Sequence, residues 1–292
     1  MKGIILAGGK GTRLYPLTKV ISKHMLPVYD KPMIYYPLAT LMLAKIKEIL
    51  IIVTPSDLPL YKALLGDGSQ LGIEIVYAVQ EKPQGVADAF RIGESFIQKE
   101  PVALILGDNF FYGASFNQAL REAVTLKEGA MIFGYAVKNP EAYGVVTFDE
   151  QKSVLALEEK PLHSPSSYAV PGLYFYDAHV IEMAKNIEPS KSGELDITEV
   201  NKAYLAQQTL QLKVLEKGTA WWDMGTYESL FQASQFVQEV QKKEGNAIGG
   251  IENIAYQQGW ITRDEFLKLA ESMAQTTYGK YMRCVIERNQ IG

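Results

Sequence analysis

Three glycines and two cations stand in the run Leu6-Ala7-Gly8-Gly9-Lys10-Gly11-Thr12-Arg13-Leu14, directly after a short apolar segment. Glycine lets the backbone turn sharply and brings its N–H groups close to an anion, and Lys10 and Arg13 add charge beside them. Residues 8–13 therefore read as a loop built to hold phosphate. It matches neither of two familiar phosphate loops. The Walker loop needs Lys-Ser/Thr immediately after its second glycine, and the dinucleotide fingerprint needs a third glycine where Leu14 stands. Ten residues beyond Arg13 lies Lys23, in Ser22-Lys23-His24-Met25-Leu26-Pro27-Val28. The proline favours an extended loop, from which the lysine can return to the same phosphates.

These residues need a scaffold, and the hydrophobic pattern supplies one. Apolar runs at 2–7, 48–53, 73–79, 102–107 and 130–137 read as buried strands, with helical periodicity near 32–46, 57–65, 85–98 and 115–127 between them. Such alternation predicts an α/β fold, a mostly parallel sheet flanked by helices. Ligands of such sheets sit at the carboxyl ends of the strands, here Gly8-Gly9, Gln80 and Gly107-Asp108-Asn109. From about residue 143 shorter strands (144–148, 154–158, 169–176, 210–216) mix with helices near 177–187 and 197–207, which suggests an inserted, more antiparallel sheet lobe. After Thr226 the pattern is mainly helical, and Thr262 with Glu265 three residues on reads as a capping box. We expect one domain over 1–240, lobe included, and a helical C-terminal extension over 241–292 packed on it.

Composition narrows the function classes. A chain of 292 residues, 47% apolar and 21% charged, can bury a large core and has no disordered signature. A net charge of −4 without a basic block gives no footprint for nucleic acid or an anionic membrane. The apolar run ending at Gly8 is too short for a signal peptide or a membrane span, so a cytoplasmic location is expected. One cysteine, Cys284, excludes an intramolecular disulfide, and the three histidines (His24, His163, His179) have no zinc spacing.

The glycine loop together with Lys23, Leu26-Pro27-Val28 and Lys31-Pro32-Met33 resembles the signature of sugar nucleotidyltransferases, and within them the glucose-1-phosphate thymidylyltransferase branch. The resemblance runs end to end through Asp30-Lys31-Pro32-Met33-Ile34-Tyr35-Tyr36-Pro37-Leu38, Leu106-Gly107-Asp108-Asn109, Tyr143-Gly144-Val145-Val146, Glu158-Glu159-Lys160-Pro161, Gly172-Leu173-Tyr174-Phe175-Tyr176-Asp177 and Gly193-Glu194-Leu195. It implies a nucleotide-binding α/β domain with a sugar-binding lobe, a homotetramer, and feedback by a dTDP-sugar. It also implies dTTP and glucose 1-phosphate as substrates, Mg²⁺ as cofactor, and a place at the start of dTDP-L-rhamnose synthesis.

Site residues follow from the same resemblance. Gly8, Gly9, Gly11, Thr12, Arg13, Gln80, Gly85 and Asp108 would meet the nucleotide, Gln80 and Gly85 at the pyrimidine. Tyr143, Gly144, Glu159, Lys160, Val170, Tyr174 and Glu194 would form the sugar-phosphate pocket. Arg13 and Lys23 would be catalytic, stabilising the departing pyrophosphate. Asp108, at a strand end, would share Mg²⁺ with Asp223 of Ala220-Trp221-Trp222-Asp223, because two carboxylates with phosphate oxygens and waters suit that ion. Five positions depart from the pattern: Asp88 and His24 where glutamine is usual, Pro171 and Met224 for threonine, and Ser192 for arginine. Transfer of a uridylyl, cytidylyl or adenylyl group is the nearest rival reading. A non-catalytic sugar-nucleotide sensor is a second, but it would be expected to have lost Arg13, Lys23 or an aspartate, and all are present.

Overall fold

The computed structural model describes residues 1–190 and 193–288. Its first strand, β1 (Lys2–Leu6), leads to a short hairpin of β2 (Pro27–Val28) and β3 (Lys31–Pro32). Then come α1 (Tyr35–Leu43), β4 (Glu48–Val53), α2 (Leu58–Leu65), β5 (Glu74–Val79), α3 (Asp88–Ile92), α4 (Glu94–Ile97) and β6 (Val102–Leu106). β1 runs parallel to β4 and β6 on its two sides, so that Ile4 faces Leu50 and Leu104 across the ladders, and β5 adds in parallel beyond β4. Ile4, Ile5, Ile51, Ile52, Leu104 and Ile105 are fully buried. Their unbroken apolar runs are what a sheet covered by helices on both faces requires.

The next segment holds β7 (Asn109–Tyr112), α5 (Ala114–Ala123), β8 (Ala130–Ala136), β9 (Gly144–Phe148), β10 (Val154–Glu159), β11 (Tyr168–Ala169) and β12 (Leu173–Tyr176). It continues through α6 (Val180–Asn186), α7 (Ile197–Ala206), β13 (Leu210–Val214) and β14 (Ala220–Asp223). β12 inserts antiparallel between β6 and β8, and β11, β9 and β10 follow antiparallel at that edge, while β13 runs parallel to β8. The antiparallel lobe is thus built as an extension of the parallel sheet, ordered β10-β9-β11-β8-β12-β6-β1-β4-β5. The chain ends in α8 (Tyr227–Glu244), α9 (Ile251–Gln257), α10 (Arg263–Ser272) and α11 (Thr277–Arg288). Ile251, Phe266 and Met282 of the last three share one apolar core with Ile5, Leu38 and Ile51. The capping box is present, Thr262 N–H donating to Glu265 Oε2 at 2.7 Å and Glu265 N–H to Thr262 Oγ1 at 3.3 Å.

Three details differ from the periodicity. The helix near 85–98 is two short pieces parted at Gly93, where a Cβ would stand 2.9 Å from Ala89 O and 3.1 Å from Ile4 Cδ1. The strand near 169–176 is cut by Pro171-Gly172, and α1 begins only at Tyr35. Strands β7 and β14 form a separate antiparallel ribbon whose register pairs Asn109 with Asp223. Apolar patterning did not mark either segment as a ribbon, yet it sets the second carboxylate beside the first. No helix among the described residues is long and apolar enough to cross a membrane.

Candidate active site

The glycine loop leaves β1 at the carboxyl edge of the sheet. Gly11 has φ 61°, a left-handed conformation that glycine adopts without strain, and opens a short 3-10 turn over Thr12–Leu14. Leu14 is fully buried and anchors the turn, whereas Lys10, Thr12 and Arg13 are exposed. Thr18 Oγ1 donates to Gly11 O at 2.6 Å and closes the loop from the other side. Lys23 runs along this loop as expected. A Cβ on Gly9 would stand 3.6 Å from its Nζ, and one on Gly11 only 3.0 Å from its Cβ.

Lys23 Nζ donates to Asp108 Oδ2 at 2.5 Å, with both side chains largely buried. The other oxygen, Oδ1, accepts from Asn109 Nδ2 at 3.2 Å. Burial works against the charge on Asp108, but Lys23 close by and these hydrogen bonds overcome it and hold the carboxyl well below its ordinary value. Asp223 is the opposite case. Burial, and then the neighbouring Asp108 charge, push its carboxyl up to about 6. Its Oδ1 is buried without a hydrogen-bond partner. Gly225 gives the room this arrangement needs, since a Cβ there would lie 2.6 Å from Arg13 Nη2 and 3.0 Å from Asp223 Oδ1. Arg13, Lys23 and the two carboxylates thus converge, as the resemblance implied. Two neighbouring carboxylates, one with an orphaned buried oxygen, offer hard oxygen donors of the kind that could hold a divalent cation. Among the described residues no group of three or more acidic, His or Cys side chains gathers in this way.

A cavity of about 620 Å³ opens from this cluster toward the antiparallel lobe. It is lined by Tyr143, Gly144, Glu159, Lys160, Val170, Tyr174 and Glu194 together with Arg13, Lys23, Asp108 and Asp223. Glu159 ends β10, and its Oε2 accepts from Thr198 Oγ1 at 2.5 Å. Gly144 makes the approach possible, because a Cβ there would stand 3.2 Å from both atoms. Lys160 sits at φ 41°, a conformation uncommon outside glycine, and reaches Glu159 Oε1 at 3.2 Å with its head in solvent. Tyr174 is buried, and burial followed by the Glu159, Asp223 and Asp108 charges raises its hydroxyl far above the usual range, so it stays protonated as a donor. Val170 N–H donates to Gly144 O at 2.7 Å, locking the two walls together.

A second cavity, of about 420 Å³, lies on the other side of the loop and is lined by Gly8, Gly9, Lys10, Ser56, Gln80 and Pro83. The two cavities share Gly9, Lys10 and Pro83, so the glycine loop is the wall between them. Gly85 lines neither cavity. Its φ is 105°, and a Cβ there would come within 2.5 Å of the Leu195 backbone, to which this segment is pinned by Leu195 N–H donating to Gln84 O at 2.7 Å. The glycine therefore joins the loop after β5 to the lobe. Gly85→Ala should destabilise the fold by more than ~1 kcal/mol, because alanine gains unfolded-state rigidity only where its native φ is accessible. An unchanged melting temperature would remove that role.

The sequence assigns no role to Trp221, Thr198 or Asn201 and marks Asn109 only as a strand-end position. Asn109 Oδ1 accepts from Trp221 Nε1 at 2.7 Å and from Gly172 N–H at 3.0 Å, tying the ribbon to the turn before β12. Trp221 in turn packs on Tyr143, ring centroids 5.1 Å apart. Thr198 and Asn201 line the larger cavity from α7. Their signal was adjacency, since Asn109 and Trp221 stand next to or near the two aspartates. Among the departures, His24 is buried against Gly107, where a Cβ would be 2.7 Å from its Cδ2. Burial and then the Lys23 charge lower its pKa to about 3, so it is neutral, with Nδ1 3.2 Å from Ser22 Oγ. Met224 is fully buried, Pro171 lies in the β11–β12 break, and Ser192 falls outside the described residues.

A glycine loop at the carboxyl edge of a parallel sheet, with two cations and two carboxylates in the larger of the cavities it separates, defines a phosphate-transferring α/β enzyme site. Comparison with known proteins narrows the class. The sequence pattern of the nucleotidyl transferase family matches residues 2–240, and the chain belongs to that family. It is 51% identical over 288 residues to a glucose-1-phosphate thymidylyltransferase of Neisseria meningitidis, covering 99% of this chain and 100% of the relative. Another of that name, from Mycobacterium tuberculosis, is 50% identical over 289 residues, with 99% and 100% covered. Among solved structures, a Bacillus anthracis chain in complex with a sucrose is similar at TM-score 0.75 and 39% identity, over 81% of this chain and 94% of that one. A UDP-glucose pyrophosphorylase bound to UDP-glucose is similar at TM-score 0.72 and 25% identity, with 82% and 98% covered.

Proposed function

We propose that this chain transfers the thymidylyl group of dTTP to glucose 1-phosphate, giving dTDP-glucose and pyrophosphate, with Mg²⁺ held by Asp108 and Asp223. The observation that carries the reading is the meeting of Lys23, Arg13 and the two carboxylates in the larger cavity, beside the glycine loop that separates it from the smaller one. A sugar-phosphate oxygen forms a new bond to the α-phosphorus as the bond to the β-phosphate oxygen breaks, so no protein nucleophile is needed. The glycine-loop N–H groups and Lys10 bind the triphosphate, and Arg13 with Lys23 neutralise the charge gathering on pyrophosphate. Glu159 accepts from sugar hydroxyls, Tyr174 donates, and Lys160 meets the sugar phosphate. When bound, Mg²⁺ supplies charge neutralisation and orientation of the phosphates. A pyrophosphate-release assay across nucleoside triphosphates and sugar 1-phosphates tests the reading, and a wide preference for another pair overturns it.

The carboxyl of Asp223 must be ionised to hold a hard cation, and it titrates at about 6. Apparent Mg²⁺ affinity should therefore be flat above that pH and fall ~10-fold per pH unit below it, with a proton released on binding. Calorimetric titration at pH 5, 6, 7 and 8 reads this directly, and an affinity independent of pH would take Asp223 out of the metal site.

The same reading places the protein in the cytoplasm as a homotetramer under feedback by a dTDP-sugar, at the first step of dTDP-L-rhamnose type deoxysugar synthesis. It treats residues 241–292 as a helical extension of a domain spanning 1–240. Light scattering and inhibition by dTDP-sugars check the assembly and the control.

A further inference from the structure

Gln80 follows the end of β5 and Asp88 opens α3, and the two side chains are buried, 5% and 7% exposed. Gln80 Nε2 donates to Asp88 Oδ2 at 2.9 Å. A carboxylate only accepts hydrogen bonds, whereas an amide has a donating end and an accepting end. Asp88 therefore decides which end of Gln80 faces it, and the carbonyl oxygen Oε1 is turned to the opposite side. There it lies against the glycine loop, 2.7 Å from where a Cβ of Gly8 would stand. Gly8 and Gln80 line the same cavity of about 420 Å³, beside Lys10 and Gly9. The result is an acceptor of fixed orientation on the wall of that cavity, beside the glycine loop.

We propose that Asp88 is a specificity-determining residue that fixes Gln80 as an acceptor toward the base, selecting pyrimidines whose ring N3 carries a proton. The inference rests on the assignment of Gln80 to the base. Thymine and uracil offer N3–H to the carbonyl oxygen, while cytosine offers a lone pair at N3, so that two acceptors would face each other. A buried polar group left unpaired is costly, and sites that rely on one such bond reject the analogue lacking it by large factors. Asp88 makes the choice rigid, since a neutral amide in its place would accept either face of Gln80 and let it flip. Thymine and uracil are not separated by this device; the 5-methyl group must be read elsewhere in the cavity.

The test compares kcat/KM for dTTP and dCTP with glucose 1-phosphate as co-substrate. Wild type should prefer dTTP by on the order of 10³-fold, and should reject dTTP methylated at N3 about as strongly as dCTP. Asp88→Asn should raise the dCTP-to-dTTP ratio at least ~10-fold, because the freed amide of Gln80 can then present its donor. Asp88→Glu, which keeps an acceptor-only partner, should hold the ratio near the wild-type value. Gln80→Ala separates the inference from its premise: an unchanged base preference in that variant would remove Gln80 from the base altogether. If Gln80→Ala alters the preference while Asp88→Asn leaves it as in wild type, the base assignment stands and the role of Asp88 is overturned. Should the Asp88 variants not fold, ready use of N3-methylated dTTP by wild type overturns the inference on its own.

Discussion

Asp223→Asn should abolish most turnover and at the same time stabilise the protein in the absence of metal. Loss of one of two carboxylates from a phosphate-bound cation forfeits on the order of 4 kcal/mol of charge stabilisation, a fall of about a thousandfold in kcat. The stability effect follows from the environment of Asp223. Its carboxyl is raised to about 6 by burial and by Asp108, and one of its oxygens is buried without a partner. A carboxyl raised in the folded state is neutral in both states at low pH and costs stability as pH climbs through its folded value. Asparagine removes that cost, so the variant should gain on the order of 1–3 kcal/mol at pH 8 in chelator and nothing at pH 3.5. Asp108→Asn should lose turnover as severely yet move stability the other way. Its carboxyl is held low by Lys23, and without it the lysine is left in a largely buried place with no anion 2.5 Å away. Thermal melts with and without Mg²⁺, set beside steady-state rates, check both signs. Equal stability changes in the two variants would contradict the asymmetry between the carboxylates.

That asymmetry was not legible in the sequence, although most of the machinery was. The glycine loop, Lys23 and Asp108 could be placed because each abuts an apolar run whose period marks a strand, and a strand end fixes where the next residue points. Asp223 was reachable only through resemblance. Its strand, β14, pairs with β7 in a two-stranded ribbon apart from the main sheet, and the aromatic run Asn109-Phe110-Phe111-Tyr112 carries no alternation that would announce it. The resemblance set Gly85 at the base, and the neighbour its missing side chain admits in the fold is the Leu195 backbone, 110 residues further along the chain. Spacing tells that a glycine admits a neighbour, but not which one. The hydrogen bond from Gln80 to Asp88 was likewise hidden, since a loop of unknown path lay between the strand end and the helix start.

Lys23→Ala and Arg13→Ala should both lower kcat about a hundredfold, the range seen when one preorganised donor to a developing charge is removed. They should differ in everything else. Arg13 is exposed, so its truncation touches the departing pyrophosphate and leaves the melting temperature within about 1 °C of wild type. Lys23 holds Asp108 ionised beside Asp223, and its loss leaves two carboxylates facing each other in a buried site. Breaking a buried pair by removing one partner costs ~3–5 kcal/mol, lowered here because Lys23 keeps 15% of its side chain in contact with water. The metal-free Lys23→Ala protein should therefore melt several degrees lower at pH 8, and Mg²⁺ should recover most of the loss because the cation replaces the ammonium as counter-charge. Lys23→Ala should also flatten at low pH, where one carboxyl is protonated and the repulsion disappears. If kcat were untouched and only KM for the nucleotide rose in both variants, the two cations would be ground-state anchors and the stabilisation of the leaving group would have to come from the loop N–H groups and Lys10.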